Sequence, residues 1–204
     1  MEFPERVSEK LTNIIAGTLT DLTEEKLEQI NYGIAIFIAN SYKYIFIFIV
    51  AWLLKVFGYM LVALFGFGFL RTFAAGLHGK KEWTCFVSTT SFVFGTIYVS
   101  MHISINFPIL TLVYVVSMLL VYLYAPSDTE ERPIYSKSYR KKMKLLSCLA
   151  VMILYLISIR YYGTIISNIL VISTVIAVIL IIPVSYRLTN NVYGTGLYTN
   201  KEEV

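Results

Sequence analysis

The chain of 204 residues carries 57% hydrophobic and only 15% charged side chains, and its mean hydropathy is +0.68. These proportions exclude an ordinary soluble domain of this size and predict an integral membrane protein. The formal net charge of +4 does not indicate a nucleic-acid partner, because in a membrane protein the placement of basic residues matters more than their sum.

The N-terminal region predicts an amphipathic helix. Its first ten residues, MEFPERVSEK, lack the basic start and apolar centre of a cleavable signal peptide, so we expect them to be retained. Apolar residues then recur at intervals of three and four from Phe3 to Leu22. Such a helix lies on the membrane surface or packs on the rest of the protein. Asp21 and Glu24 resemble a capping box, which predicts that the next helix starts there.

Six apolar stretches follow, each near the length of about 20 residues that a spanning helix requires. They cover Ile34–Leu54, Val56–Arg71, Trp83–Met101, Phe107–Tyr124, Leu145–Tyr161 and Thr164–Tyr186. The predicted fold class is therefore all-α, a polytopic membrane protein of about six transmembrane helices plus an N-terminal amphipathic interfacial helix. In domain terms, the N-terminal segment is 1–29, the membrane domain is 30–188 with cytoplasmic loops near 71–83 and 125–144, and the tail is 189–204.

The basic residues predict the orientation of these spans, since lysine and arginine concentrate in cytoplasmic loops. With both termini in the cytoplasm, all of the 17 basic residues except Lys43, Lys55 and Arg160 fall on the cytoplasmic side. Lys43 and Asn40 lie inside the first span, where a lysine either snorkels to the surface or faces protein or water. We therefore expect a multi-pass protein of the cell membrane whose stretch Arg71–Cys85 faces the cytoplasm.

That stretch, RTFAAGLHGKKEWTC, holds one of two histidines and one of two cysteines. A thiol is a good nucleophile as thiolate, and a histidine within hydrogen-bonding distance can take its proton. On one straight helix His78 and Cys85 would be about 10 Å apart along the axis, too far for direct transfer. A turn at Gly79, Lys80 and Lys81 would bring them together, with Cys85 in the opening turn of the next helix, where the helix dipole favours the thiolate.

The other candidates for chemistry are weaker. Cys148 lies in an apolar span and is interpreted as a packing residue, and His102 as an interfacial one. The cysteines form no paired motif, so neither a disulfide framework nor a zinc site is expected, and no motif indicates a metal or another cofactor. The loop after the fourth span ends in a basic cluster that either binds anionic lipid or docks an acidic peptide segment. The cluster comprises Arg140, Lys141, Lys142 and Lys144.

The sequence resembles the accessory gene regulator protein B (AgrB) family of membrane peptidases, which process quorum-sensing peptide precursors. The resemblance rests on RTFAAGLH, on Cys85 seven residues after the histidine, and on APSDTEERPI after the fourth span. It implies that Cys85 is the nucleophile and His78 the general base, and that Arg71 and Gly76 support the site. The family often has two adjacent glycines where this chain has Ala75 and Gly76. It also implies a precursor peptide as the partner, and a homodimer.

Peptidase chemistry would then proceed by attack of Cys85 on the precursor, release of its C-terminal segment and formation of a thioester. A thiol or hydroxyl of the bound peptide can close a thiolactone or lactone ring, provided that water is kept away. We expect backbone N–H groups near Cys85 and Phe86 to form the oxyanion hole. Glu82, Ser88 and Ser127 are the candidates for orienting His78.

Two other functions fit the same composition. Six spans with Lys43 inside the membrane also suit a small transporter or peptide exporter without proteolytic activity, and a non-catalytic membrane scaffold is a third reading. Replacement of Cys85 separates them, because only the peptidase requires that thiol.

Overall fold

The computed structural model describes residues 3–18, 23–77, 82–127 and 136–189. The described residues form helices and no strand, which confirms the predicted all-α class. The eight helices are α1 Phe3–Thr18, α2 Glu24–Leu53, α3 Phe57–Ala74, α4 Glu82–His102, α5 Phe107–Tyr124, α6 Lys137–Arg160, α7 Ile165–Ile179 and α8 Pro183–Leu188. Five of them, α2 to α6, are long and apolar enough to cross a membrane, and α7 is a shorter apolar helix. The chain divides into two compact units, 1–55 and 56–204.

In the first unit, α1 packs against α2. Ser8 and Thr12 of α1 are buried, and the Thr12 hydroxyl donates to Asn31 Oδ1 at 3.4 Å. Leu11 and Ile14 stay exposed. The amphipathic helix thus packs on another helix through small polar residues and keeps apolar side chains exposed, as a helix on a membrane surface requires, so the two interpretations of this segment are compatible.

The helix α2 begins at Glu24, with Thr23 as its N-cap residue in extended conformation. The start predicted near this position is confirmed, whereas Asp21 lies outside the described residues. Lys43 is buried within α2, and its ammonium donates to Asn40 Oδ1 at 2.8 Å. This hydrogen bond offsets part of the free-energy cost of burying the ammonium of a lysine in an apolar stretch.

In the second unit, α3 packs closely on α7. A Cβ atom added to Gly66 would lie 3.2 Å from both Leu170 Cδ2 and Ser173 Cβ. The absence of a side chain at this position lets the two helices approach, which is the common way in which membrane helices associate. The core around this contact is built from aliphatic side chains of α3, α5, α6 and α7.

The helices of the second unit share two ends. At one end, which we call the three-corner end, the backbone corners 74–77, 125–127 and 180–186 meet. At the opposite end, the Asn168 side chain of α7 donates to the carbonyls of Ser100 and Ile103, at 3.2 and 2.7 Å. The hydroxyl of Ser167 donates to the carbonyl of Ser158 there. Consequently α3, α5 and α7 run towards the three-corner end, and α4 and α6 run away from it.

Two predicted boundaries differ from the structure. The predicted sixth span, Thr164–Tyr186, is two helices, because α7 ends at Ile179 and α8 starts at Pro183. A proline has no N–H to donate and disfavours helical geometry in the residue before it, and Ile182 is accordingly extended. The predicted loop 125–144 is also shorter, since α6 begins at Lys137.

Candidate active site at the three-corner end

Arg71 lies in the last turn of α3 and binds the chain that follows the helix. Its guanidinium donates from Nη2 to the carbonyl oxygen of Gly76 at 3.3 Å and to that of Leu77. The same group lies over the ring of Phe67, with its carbon 5.5 Å from the ring centroid. A cation at a helix C-terminus also interacts favourably with the helix dipole. Arg71 thus fixes the two residues that precede His78.

The turn after α3 uses backbone conformations that favour glycine. Gly76 has φ +117°, and a Cβ atom there would lie 3.1 Å from both Ile181 Cγ2 and the carbonyl oxygen of Leu180. Ala75 has φ +56°, a region in which a side chain is strained. The chain therefore makes a sharp turn at 75–76 and lies close to the corner between α7 and α8.

Backbone hydrogen bonds hold this turn on two sides. The N–H of Gly76 donates to the carbonyl of Ser127 at 2.9 Å, and the N–H of Ser127 donates to the carbonyl of Ala74 at the same distance. On the other side, the N–H of Leu77 donates to the carbonyl of Leu180 at 3.0 Å. The residues leading to His78 are thereby paired with two corners that are remote in sequence.

Buried hydroxyl groups connect those two corners. Ser127 Oγ lies 3.0 Å from the carbonyl oxygen of Ile181, to which it donates, and 3.1 Å from the hydroxyl of Tyr186. The Tyr186 hydroxyl also donates to the carbonyl of Ser127 at 3.2 Å. Both side chains are 1% exposed. Ser127 was one candidate for orienting His78, but these partners already use its hydroxyl.

Cys85 is half-buried and lies in the first turn of α4, as the sequence predicts. The Cα–Cβ bonds of a helix tilt towards its N-terminus, so the thiol lies over the turn from Glu82 to Cys85. Because α4 runs away from the three-corner end, this first turn belongs to the same end as Arg71 and Gly76. His78 and the predicted turn Gly79–Lys81 lie outside the described residues.

The start of α4 revises the expected oxyanion donors. In a helix beginning at Glu82, the N–H of Phe86 pairs with the carbonyl four residues earlier and is not available. The amides without a partner inside the helix belong to its first turn, and they include those of Trp83 and Thr84. The N–H groups that can receive an oxyanion therefore lie before Cys85 in the chain, directly beneath its side chain.

The basic cluster occupies the first two turns of α6. Lys141 and Lys142 are exposed, Arg140 is half-buried, and Lys144 lies over the ring of Tyr122, with Nζ 5.0 Å from the centroid. Basic groups at a helix N-terminus add to the positive end of the dipole instead of opposing it. The cluster consequently gains nothing from the dipole of α6, and it gathers four basic side chains in the first two turns of that helix.

Comparison with known proteins assigns the family. Residues 8–181 match the family model described as Accessory gene regulator B. The chain belongs to this family. It is 30% identical to an AgrB-like protein of Clostridium acetobutylicum over 92% of the chain and 91% of the relative. It is also 30% identical to accessory gene regulator protein B of Staphylococcus aureus, over 66% and 73%.

A third relative, an AgrB-like protein of Listeria innocua, is 26% identical over 83% of each chain. No solved structure matches. The AgrB family takes part in accessory gene regulation, a quorum-sensing function. The resemblance identified from the sequence is therefore confirmed at the level of the family.

The structure places Arg71, Gly76, Cys85 and the basic turns of α6 at one end of the second unit. The sequence does not reveal which residues hold the turn at 75–76. Tyr186, Leu180 and Ile181 had no signal in the sequence beyond Pro183, which interrupts an apolar run and indicates a corner. Cys148 packs against the core cluster, as interpreted from its apolar surroundings.

Proposed function

We propose that the protein is a cysteine endopeptidase of the cell membrane that cleaves an autoinducing peptide precursor (AgrD-like) and allows its cyclisation. The observation that carries this proposal is the position of Cys85. It lies in the first turn of α4, at the end of the unit where the segment leading to His78 is held by Arg71 and by two backbone corners. A cysteine in the first turn of a helix is a common position for a nucleophilic thiol, provided that a base lies within hydrogen-bonding distance.

The first step forms the acyl-enzyme. His78 takes the proton of the Cys85 thiol, and the sulfur attacks a peptide carbonyl towards the C-terminal part of the precursor. The N–H groups of the first α4 turn stabilise the resulting oxyanion. Collapse breaks the C–N bond, His78 returns the proton to the leaving amine, and the remaining peptide stays on Cys85 as a thioester.

The second step closes the ring. A thiol or hydroxyl of the bound peptide attacks the thioester carbonyl and loses its proton to His78, and Cys85 leaves as thiolate. The products are a thiolactone or lactone and the regenerated enzyme. Water must be kept away from the thioester, because it would otherwise hydrolyse it to a linear acid.

The Cys85 thiol supplies the decisive test. We expect Cys85→Ala to lose all cleavage of a co-expressed precursor, and the parent protein to show a precursor adduct on Cys85 by mass spectrometry. Cys148→Ala is the matched control, since it removes the other cysteine and should keep cleaving. Persistent cleavage by Cys85→Ala contradicts the proposal, whereas a transporter or exporter would keep its activity in that variant.

The basic cluster on α6 suits the acidic segment that is cleaved from the precursor. We expect the double variant Lys141→Glu/Lys142→Glu to process the precursor more slowly, by about tenfold for two exposed charges that each contribute about 1 kcal/mol or less. Acidic groups at a helix N-terminus are favourable, so the helix itself should not suffer. Lys10→Glu/Lys26→Glu makes the same change of net charge in α1 and α2 and serves as the control.

If the α6 double variant processes the precursor at the normal rate, the cluster does not bind the acidic segment and its role is to bind anionic lipid. In that case, the double variant should instead bind anionic lipid more weakly. We further propose that both termini are cytoplasmic and that the protein acts as a homodimer.

A further inference from the structure

We infer that Tyr186 and Ser127 are positioning residues of the peptidase site, because their buried hydroxyl pair fixes the turn that leads into His78. This inference rests on the proposed function. Neither residue touches the reacting atoms in the proposed mechanism, and each acts through the backbone of residues 74–77.

The argument begins with what the turn requires. From α3, the Arg71 guanidinium donates to the carbonyl groups of Gly76 and Leu77. The remaining bonds of the turn are to Ser127 and Leu180. The position of residues 74–77 therefore depends on where the corners 125–127 and 180–186 lie.

Tyr186 and Ser127 set those corners relative to each other. The Ser127 hydroxyl donates to Ile181, and the Tyr186 hydroxyl donates back to the Ser127 carbonyl. That carbonyl is also the acceptor for the N–H of Gly76. One oxygen atom thus receives both the tyrosine hydroxyl and the amide of the turn, so a change at Tyr186 acts directly on the acceptor that holds Gly76.

Burial makes this pairing consequential. Both side chains are 1% exposed, and a buried polar group that loses its partner has no solvent to replace it. Tyr186→Phe keeps the ring and removes only the hydroxyl, so it loosens the corners without emptying the space that the ring fills. A loosened corner would let the turn, and with it the base, move away from the thiol, which a base must contact within hydrogen-bonding distance.

The test measures the thiolate of Cys85 instead of cleavage. The full-length protein is prepared with Cys148→Ala, so that iodoacetamide reports on Cys85 alone, and the alkylation rate is followed from pH 5 to pH 10. If His78 pairs with Cys85, iodoacetamide should alkylate the parent protein at pH values well below those at which an ordinary thiol reacts. We expect Tyr186→Phe to lower the rate at pH 6 by about fivefold, as suits the loss of one buried hydrogen bond, and to leave the rate at pH 10 unchanged. Ser127→Ala should act in the same direction.

Tyr114→Phe is the matched control. The Tyr114 hydroxyl is bonded to Ser158 Oγ at 2.7 Å, and both groups are buried between α5 and α6, away from the three-corner end. A merely structural role predicts the same loss in Tyr114→Phe and Tyr186→Phe, and that result overturns the inference. An unchanged profile in both Tyr186→Phe and Ser127→Ala overturns it as well.

The proposed function fails in a different way. If the parent itself shows no reactivity at low pH and His78→Ala has the same profile as the parent, both the thiol–imidazole pair and its positioning are refuted. If the parent and His78→Ala differ but Tyr186→Phe and Ser127→Ala both match the parent, only the positioning role falls.

Discussion

Gly76 has no room for a side chain, and this fact gives a prediction at the scale of one residue. Its φ of +117° disfavours any residue with a Cβ atom, and that atom would meet Ile181 Cγ2 and the Leu180 carbonyl at 3.1 Å. We expect Gly76→Ala to displace the turn, to destabilise the protein by about 1–3 kcal/mol, and to abolish most precursor cleavage. Thermal unfolding in detergent and a cleavage assay measure the two effects.

Gly68→Ala is the control for this substitution. Gly68 lies two turns earlier in α3, and a Cβ atom there would meet nothing within 4 Å. An alanine in a helix interior is favoured over glycine by about 0.5–1 kcal/mol, so this variant should cleave normally. An equal loss of cleavage in both variants would show that an added methyl group is harmful at either position. Gly76 would then have no special role.

Sequence patterns predicted the helix that begins near Cys85 better than they predicted the contacts around this end of the unit. Cys85 was expected in the opening turn of a helix because a cysteine after a polar turn begins an apolar run, and such placement depends only on local sequence. Tyr186 and Ser127 meet across 59 residues, and no spacing rule brings together residues so remote. The Ala75 conformation was equally invisible, because alanine does not signal a positive φ.

At the scale of the element, the end of α3 depends on a planar guanidinium. Arg71 donates to two successive carbonyls and also stacks on Phe67. An ammonium keeps the charge but lacks the flat face that lies over the Phe67 ring. We expect Arg71→Lys to reduce cleavage about tenfold, since a hydrogen bond from a charged group contributes about 1.5–3 kcal/mol.

Arg160→Lys tests whether any arginine at a helix end behaves in this way. Arg160 lies in the last turn of α6 and stacks on Tyr161 at 5.8 Å, but it belongs to the opposite end of the unit. It should tolerate lysine with little change in cleavage. A normal rate of cleavage in Arg71→Lys would mean that a positive charge at the end of α3 suffices and that the planar guanidinium is not needed.

Helix positions were predictable where an apolar run continues between polar breaks, and less so at the start of α6 and at the end of α7. The first turns of α6 are basic and polar, so hydropathy alone assigned them to a loop, although Ser136 caps the helix by accepting from the N–H of Tyr139. The apolar run after Thr164 continues past the point where α7 ends. Hydropathy indicates whether a segment prefers lipid or water and carries no information on backbone conformation. It therefore cannot detect such a corner.

At the scale of the whole molecule, the length of α7 determines whether the chain crosses from one end of the second unit to the other. Its 15 residues are about 22 Å long at 1.5 Å per residue, less than the hydrocarbon thickness of about 30 Å. Even so, Asn168 near its start contacts the opposite end of the unit, and Leu180 after its end pairs with Leu77 at the three-corner end. The short helix therefore crosses the second unit completely, as its longer neighbours do.

The charges of the second unit are divided unequally between its two ends. Among its described residues, all the lysines and arginines except Arg160 lie towards the three-corner end: Arg71, Lys137, Arg140, Lys141, Lys142, Lys144 and Arg187. Because basic residues stay on the cytoplasmic side of short loops, we expect the three-corner end, with Cys85, to face the cytoplasm and Arg160 to face outward. A precursor made in the cytoplasm would then reach the thiol without crossing the membrane.

Single-cysteine labelling in intact cells measures this orientation. In a chain carrying Cys85→Ala and Cys148→Ala, we expect a membrane-impermeant maleimide to label Arg160→Cys from outside, and to label Lys141→Cys only after the cells are permeabilised. Both side chains are exposed at their positions, so access depends on the side of the membrane and not on burial within the protein. The cysteine-free parent gives the background. Labelling of Lys141→Cys in intact cells would invert the topology and place the thiol outside, where the cytoplasmic precursor cannot reach it.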